Sequence, residues 1–438
     1  MRSLNKQILR LAIPNIISNL TVPLLSSADT ALVGHLPQPY FIGAVALGGM
    51  IFNFIYWGFG FLRMGTTGFT AQAYGAGQRT EISSILSRAL FMALAGSLLV
   101  IALQKPIAEL SFYLIHGSDL SEHFARRYFY IRILAAPATL SLYAFQGWFL
   151  GMQNARYPLY LTVATNLLNL GFNFLFVLGF HLNSDGVAWG TVCAQYLGLV
   201  LAVVLFGKKY GAYRSYFDLK AVFEMSALKR FFSINSDIFL RTLALVFAFS
   251  FFTAKSAEFG DNILAANSIL LQLWMIFSYG IDGFAFAAES LTGKYVGAGV
   301  PSELKRVVRA IFYWGMGLGA VFSALYLALP DALARLFTGQ EAVIALVHRY
   351  FFWTQWAPVL NSVCYIWDGI YIGATAARAM RNTSFVATFL IFLPLYYLTR
   401  HALGNHGMWL ALTLFMAARG LSLYLLRNKH IYRLNPGG

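Results

Sequence analysis

Twelve apolar runs decide what this chain can fold into, because each is long enough to cross the roughly 30 Å hydrocarbon core of a bilayer. Only 11% of the residues are charged, whereas soluble domains carry about 25%. The runs are continuous rather than alternating, so we predict helices and not barrel strands. The sequence therefore predicts an all-α integral membrane protein with twelve transmembrane helices. The predicted spans are 8–34, 41–63, 82–104, 127–150, 157–180, 186–207, 231–254, 263–292, 307–329, 346–374, 384–402 and 407–426.

Lysine and arginine are unevenly divided between the two sets of alternate loops. The set that includes both termini carries 20 and the other carries 6. Because cytoplasmic loops carry the excess of basic residues, we predict a multi-pass protein of the inner (plasma) membrane with both termini in the cytoplasm. The net charge of +15 then reflects topology and not nucleic-acid binding. The first span follows directly on a short basic segment, and we expect it to be a transmembrane helix and not a removable signal.

The two halves of the chain are related in sequence. The segment from Phe69 reads FTAQAYGAGQRTEISSILSRA, and the segment from Ser290 reads SLTGKYVGAGVPSELKRVVRA. Aligning Gly75 with Gly297 gives an offset of 222 residues. Chance similarity of Gly/Ala-rich loops is the alternative to duplication, which we favour. Six spans per half give parallel repeats, and we predict two pseudo-symmetric six-helix lobes around a central cavity. Their bounds are 1–207 for the N-lobe, 208–230 for a cytoplasmic linker loop and 231–438 for the C-lobe.

One carboxylate, Asp29, lies inside the first span. Insertion scales put an aspartate at a helix centre at about +2.5 to +3.5 kcal/mol, and protonation removes most of that cost. Our first hypothesis is that Asp29 alternately binds and releases a proton or cation during transport. Pro14 interrupts the same span and is the predicted helix hinge, since it removes a backbone donor.

The fifth span carries a polar stripe. Asn166, Asn169 and Asn173 are spaced by three and four residues, which places them on one helix face. Thr191 in the sixth span adds a hydroxyl. Amides and hydroxyls can donate to a carboxyl group or coordinate a cation. Two interpretations stay open: a polar pocket that includes Asp29, or hydrogen bonds that hold helices together.

The second half carries charged side chains at membrane depth. Asp237 and Arg241 are spaced i, i+4 in the seventh span, which predicts that they pair, either structurally or in a substrate or proton site. Glu289 and Asp368 lie among glycines and alanines that permit close helix approach, and we favour a cavity role for at least one. Asp282 is left open, because the sequence GIDGF also fits a helix kink.

Sequence motifs of enzymes are missing. The chain has no G-x-x-x-x-G-K-[ST] loop and no H-E-x-x-H, and its eight histidines form no ligand cluster. Cys193 and Cys364 lie in separate apolar spans and imply no disulfide framework. We therefore predict transport driven by an ion gradient, with no enzymatic activity, no cofactor and no metal site.

Seven sequence blocks together resemble the multidrug and toxic compound extrusion (MATE) family, specifically its DinF branch. The blocks are SADTALVGHL, FLRMGTTGFTAQAYGAG, NLLNLGFNFLFVLG, INSDIFLRTL, AANSILLQLW, DGFAFAAESLTGKYVGAG and DGIYIGATAARAMRN. In chain order they contain Asp29, Arg63, Asn169 with Asn173, Asp237 with Arg241, Asn267, Glu289 and Asp368. The resemblance extends over nearly the whole chain, and it makes the second-half residues of these blocks candidates for a cavity or ion-pair role.

The resemblance implies lobes around a V-shaped cavity and export of organic, typically cationic or amphipathic, compounds against H⁺ or Na⁺ by alternating access. It places the protonation site at Asp29, the helix bend at Pro14 and the N-lobe polar cluster at Asn169, Asn173 and Thr191. Many relatives have an aspartate where this chain has Asn173. Because a site with fewer charged ligands holds Na⁺ less strongly, we favour H⁺ as the coupling ion.

Other functions stay open on the sequence alone. A flippase for lipids or lipid-linked metabolites would share the helical core, a membrane-embedded enzyme would need a nucleophile or metal constellation, and a passive channel would give uncoupled currents. The partners we expect are the lipid bilayer and small organic substrates, with no nucleic acid and with the protein acting as a monomer.

Overall fold

The computed structural model describes residues 2–34, 38–115 and 117–432, except for the side chains of 2, 24–27, 29, 30 and 33. Within these ranges all regular secondary structure is helical. Ten of the long helices have the length and hydropathy to span a membrane. The first and tenth helices, each of 33 residues, complete the predicted set of twelve. The helices are α1 (Arg2–Gly34), α2 (Tyr40–Gly75), α3 (Arg79–Ala102), α4 (Asp119–Gly151), α5 (Arg156–Gly179), α6 (Asn183–Tyr210), α7 (Met225–Ala257), α8 (Asp261–Gly297), α9 (Pro301–Ala328), α10 (Glu341–Gly373), α11 (Ala377–Leu403) and α12 (Asn405–Arg427).

Helix α8 is continuous through the GIDGF sequence, so no break occurs at Asp282. Gly283 serves instead as a close-packing position for α1. A Cβ atom placed on Gly283 would come closer than 3.0 Å to Ile16 Cγ1 and to the Ala12 carbonyl oxygen. The glycine is therefore required by the approach of a neighbouring helix and not by a bend in its own helix.

Helix α1 is likewise continuous through Pro14. The Asn15 side chain donates to the Leu11 carbonyl oxygen at 2.8 Å, in the turn where the proline removes a backbone donor. The hinge at Pro14 stays a prediction, since one continuous helix does not reveal where it bends.

The chain forms two compact units. One comprises Ile17–Phe231, and the other comprises the residues up to Ile16 together with those from Phe232 onward. The chain passes between them inside α1 and inside α7. This division differs from the predicted lobes in two places. The first sixteen residues join the second half, where Ala12 and Ile16 pack on Gly283, and residues 208–231 belong to the first unit. The lobe bounds themselves stay a prediction.

The 222-residue offset recurs in the packing inside the two units. In each, two glycines of one helix lie directly against backbone carbonyl oxygens of another. The contacts are Gly147–Arg63 and Gly151–Thr67 between α4 and α2, and Gly369–Ala285 and Gly373–Glu289 between α10 and α8. A Cβ atom at any of these glycines would come closer than 3.0 Å to the facing oxygen. Each residue of the second set follows its counterpart by 222 positions, so one interhelical contact is built twice, as expected for a duplicated chain.

Buried aromatic side chains form much of the core of each unit. In the first unit the rings of Phe52 and Phe129 lie 5.3 Å apart, and both side chains are fully buried. In the second, Phe252 and Trp409 lie 4.8 Å apart, edge to face and equally buried. Such aromatic pairs bury large areas and fix the helices that position the polar groups described below.

Candidate functional site

The predicted polar stripe of α5 forms a chain of hydrogen bonds that continues into α6. Asn173 Nδ2 donates to Asn169 Oδ1 at 3.1 Å, and Asn169 Nδ2 donates to Thr191 Oγ1 at 3.0 Å. The Thr191 hydroxyl then donates to the Val187 carbonyl oxygen at 3.0 Å. Asn169 and Asn173 are only 4% and 0% exposed. The structure thus brings three of the predicted residues, two of them buried and Thr191 half-buried, together in a directional and uncharged network.

Asn166 lies one turn earlier on α5 and links that helix to α1. Its Nδ2 donates to Thr21 Oγ1 at 3.1 Å, and the Thr21 hydroxyl donates to the Ser18 carbonyl oxygen at 2.7 Å. Thr21 precedes Asp29 by eight residues on the same helix, about 12 Å along the axis. The Asp29 side chain lies outside the described residues, so its part in the polar cluster stays a prediction.

Gly190 of α6 determines where the Asn173 amide can lie. A Cβ atom on Gly190 would come closer than 3.0 Å to Asn173 Oδ1. We expect Gly190→Ala to lower the free energy of unfolding by about 1–3 kcal/mol, because the displaced amide is buried and loses its hydrogen-bond geometry. Thermal unfolding of the purified protein measures this. Gly171→Ala on α5 is the matched control, since nothing lies within 4 Å of its Cβ position. Equal stability of the two variants would contradict the constraint.

Arg63, the last residue of the second predicted span, is half-buried in α2. Its carbonyl oxygen accepts a hydrogen bond from the Thr67 hydroxyl at 2.9 Å and also lies against Gly147. The backbone of this residue is therefore part of the α2–α4 contact.

Three helices of the other unit meet at a buried charge cluster. Asp368 on α10 accepts hydrogen bonds through its Oδ2 atom from Arg241 on α7 and, at 2.6 Å, from Arg419 on α12. The three residues are 4%, 7% and 2% exposed, respectively. One carboxylate thus faces two guanidinium groups, so its negative charge is more than compensated, and the cluster ties α7, α10 and α12 together.

The predicted pairing of Asp237 with Arg241 is wrong. Asp237 accepts a hydrogen bond from Arg381 on α11, while Arg241 is bound to Asp368. Asp237 and Arg241 share a face of α7, but each forms an ion pair with an oppositely charged side chain on a neighbouring helix. The short, charge-assisted bonds across helices outcompete the pairing within one turn. Arg381 carried no sequence signal for this role, because it lies among the basic residues near a helix end.

Asn267 forms a closed network in place of an open polar surface. Its Nδ2 donates to Ser256 Oγ at 2.9 Å and to Asn405 Oδ1 at 2.8 Å. Its Oδ1 accepts from Asn405 Nδ2 at 3.0 Å and from Trp409 Nε1 at 2.8 Å. Both donors and both acceptor sites of the amide are occupied. Since all four residues are buried, the arrangement favours interhelical packing of α7, α8 and α12 over a role in a cavity.

Glu289 on α8 is 1% exposed, and its carbonyl oxygen is the one that faces Gly373. Its role in transport stays a prediction. Across the described residues there is no group of three or more His, Cys, Asp or Glu side chains that could hold a metal ion.

Comparisons with known proteins agree on one family. The MatE family model matches residues 14–175 and 238–398. The chain is 38% identical to DNA damage-inducible protein F of Escherichia coli (strain K12), covering 98% of this chain and 93% of that protein. Among solved structures, the Vibrio cholerae MATE transporter VcmN in the bent form has a TM-score of 0.86 at 19% identity, covering 98% of this chain and 97% of that one. An outward-facing multidrug resistance MATE family transporter of the MOP superfamily also has a TM-score of 0.86, at 18% identity and with 97% and 96% coverage.

Proposed function

Since the chain belongs to the MatE family of multidrug transporters and not to a class of enzymes, we propose that it exports small organic compounds in exchange for protons. The location we propose is the inner (plasma) membrane, with both termini in the cytoplasm. The substrates we propose are cationic or amphipathic, and the working unit is a monomer. Asp29 is the proposed protonation site.

The observation that supports the choice of H⁺ over Na⁺ is the pairing of two buried carboxylates, Asp368 and Asp237, with arginines. A Na⁺ site needs several oxygen ligands whose negative charge is free to face the ion. Asp368 is compensated by Arg241 and Arg419, and Asp237 is compensated by Arg381. A single carboxylate such as that of Asp29 needs no further ligands to bind a proton, and protonation removes the charge that makes it costly in the membrane.

The proposed cycle starts with Asp29 ionised in the outward-facing state. Protonation neutralises it, rearranges the hydrogen bonds of Asn169, Asn173 and Thr191, and lowers the affinity for substrate. Substrate leaves, the lobes rock to the inward-facing state, and the proton is released to the cytoplasm. Coupling requires that proton and substrate each have different affinities for the two states. The Asn166–Thr21 hydrogen bond supports this proposal, because it connects α5 to the helix of Asp29.

Dye transport in everted membrane vesicles tests the coupling ion. Export from the cell becomes uptake into such vesicles, and either a pH gradient or a Na⁺ gradient can be imposed alone. We expect a pH gradient to drive uptake of a cationic dye. With a Na⁺ gradient of equal size, dye uptake should not exceed that of vesicles that lack the protein. Uptake driven by Na⁺ would overturn proton coupling. If neither gradient drives dye uptake, the antiport proposal is overturned and a lipid-type substrate is favoured.

A further inference from the structure

A buried arginine fixes the linker between the two halves to α3. Arg88, 2% exposed, donates through Nε to the Val222 carbonyl oxygen at 3.0 Å and through Nη2 to the Ala221 carbonyl oxygen. Its Nη1 donates to Glu81 Oε1 at 2.7 Å. The short helix Leu219–Val222 is thereby held against α3 by one side chain, which also neutralises the Glu81 carboxylate.

A cavity of about 280 Å³ lies beside this anchor, between the end of α2, the first turns of α3 and the start of α7. One side of it is aromatic: the rings of Phe69 and Phe231 lie 5.1 Å apart. Arg230 also lines the cavity, with its guanidinium carbon 5.7 Å from the centroid of the Phe69 ring. Phe69 precedes the end of α2 at Gly75 by six residues, about 9 Å along the helix axis. In the proposed topology, with this end of α2 at the cytoplasmic surface, that depth corresponds to the boundary between lipid headgroups and acyl chains.

The charge of this cavity is positive. Glu81 and Arg88 cancel each other, whereas no carboxylate in the described part of the chain pairs with the exposed Arg230. The surrounding linker adds to this positive charge. Its basic residues are Lys208, Lys209, Arg214, Lys220, Lys229 and Arg230, against only Asp218 and Glu224. Basic clusters of this size next to a membrane attract anionic lipids.

From the cavity, its aromatic side and the Arg230 guanidinium, which meets no carboxylate among the described residues, we propose that this site binds an anionic glycerophospholipid. Arg230 holds the headgroup phosphate, and the first acyl carbons lie against Phe69 and Phe231. The apolar side and the interfacial depth favour a lipid over free phosphate. Such a lipid would touch both the anchored linker and the first turns of α7, and so would restrain the start of α7. This site is independent of the proposed coupling at Asp29.

The test compares lipids of matched acyl chains on the full chain purified in a neutral detergent. Phosphatidylglycerol is titrated against phosphatidylcholine, with thermal unfolding and native mass spectrometry as readouts. Arg230→Gln is the test variant, and Lys220→Gln is the matched control, an exposed linker residue that does not line the cavity. We expect phosphatidylglycerol to stabilise the wild type and Lys220→Gln. Its affinity for Arg230→Gln should be about fivefold lower than for the wild type. Its affinity for Arg230→Lys should lie between these two. Inorganic phosphate is expected to give no shift.

Three results would overturn the proposal. Equal weakening by Arg230→Gln and Lys220→Gln would mean diffuse attraction to the whole linker. Equal stabilisation by phosphatidylcholine would mean that the headgroup charge is not recognised. Stabilisation by inorganic phosphate equal to that by phosphatidylglycerol would assign the site to a free anion. The mass spectrum makes the result independent of folding, because it counts lipids only on protein that remains folded.

Discussion

Replacing Asp29 with asparagine is expected to reduce proton-driven export at least tenfold while leaving the protein folded. Asparagine has nearly the same size and can still hydrogen-bond, but it cannot ionise or release a proton. The measurement is dye uptake in everted vesicles under a pH gradient. We also expect the remaining uptake to lose its dependence on pH.

The control for this experiment is Asp218→Asn in the linker. Asp218 caps the helix Leu219–Val222 by accepting a hydrogen bond from the Lys220 backbone amide at 2.9 Å, and asparagine caps helices equally well. This variant removes one carboxylate outside the membrane and is expected to transport like the wild type. In thermal unfolding, Asp29→Asn should be at least as stable as the wild type, because a neutral side chain costs less free energy inside the span than a charged one. Concentrative uptake by Asp29→Asn with unchanged pH dependence would disprove the role of Asp29.

The helices could be predicted because the bilayer allows few alternatives. Every backbone group in the hydrocarbon core must be satisfied within the protein, so a long apolar run in a single chain becomes a helix. The duplication could also be predicted, since the offset that aligns Gly75 with Gly297 requires no knowledge of packing. Predicted spans differ from the helices mainly at their ends. For example, α8 continues to Gly297 because its polar last turns stay helical beyond the apolar run.

The partners of the buried polar groups could not be predicted in the same way. The spacing of Asp237 and Arg241 correctly placed both on one face of α7, but the position of Arg381 and Asp368 opposite that face depends on how the helices pack. The same holds for Asn267, since an amide in an apolar run has the same sequence signature whether it faces a cavity or another amide. Gly283 shows the limit of prediction for small residues, because glycine is found both at helix kinks and at close helix contacts.

The largest loss of stability is expected from Asp368→Asn. This change leaves Arg241 and Arg419 buried with no carboxylate between them, and breaking a buried ion pair by removing one partner lowers the free energy of unfolding by about 3–5 kcal/mol. Thermal unfolding in detergent measures the loss. Asp331→Asn is the matched control, because that carboxylate is 59% exposed in its pair with Arg335, and exposed pairs contribute about 1 kcal/mol or less.

A triple variant separates stability from function at this cluster. If Asp368 acts mainly by compensating the two guanidinium groups, then Asp368→Asn combined with Arg241→Met and Arg419→Met should recover most of the lost stability, because no buried charge remains unpaired. A triple variant that is stable and still exports dye under a pH gradient would confine the cluster to helix packing. A stable triple variant without export would assign Asp368 or its arginines a direct part in transport. If Asp368→Asn lowered the free energy of unfolding no more than Asp331→Asn does, that result would contradict the buried charge cluster itself.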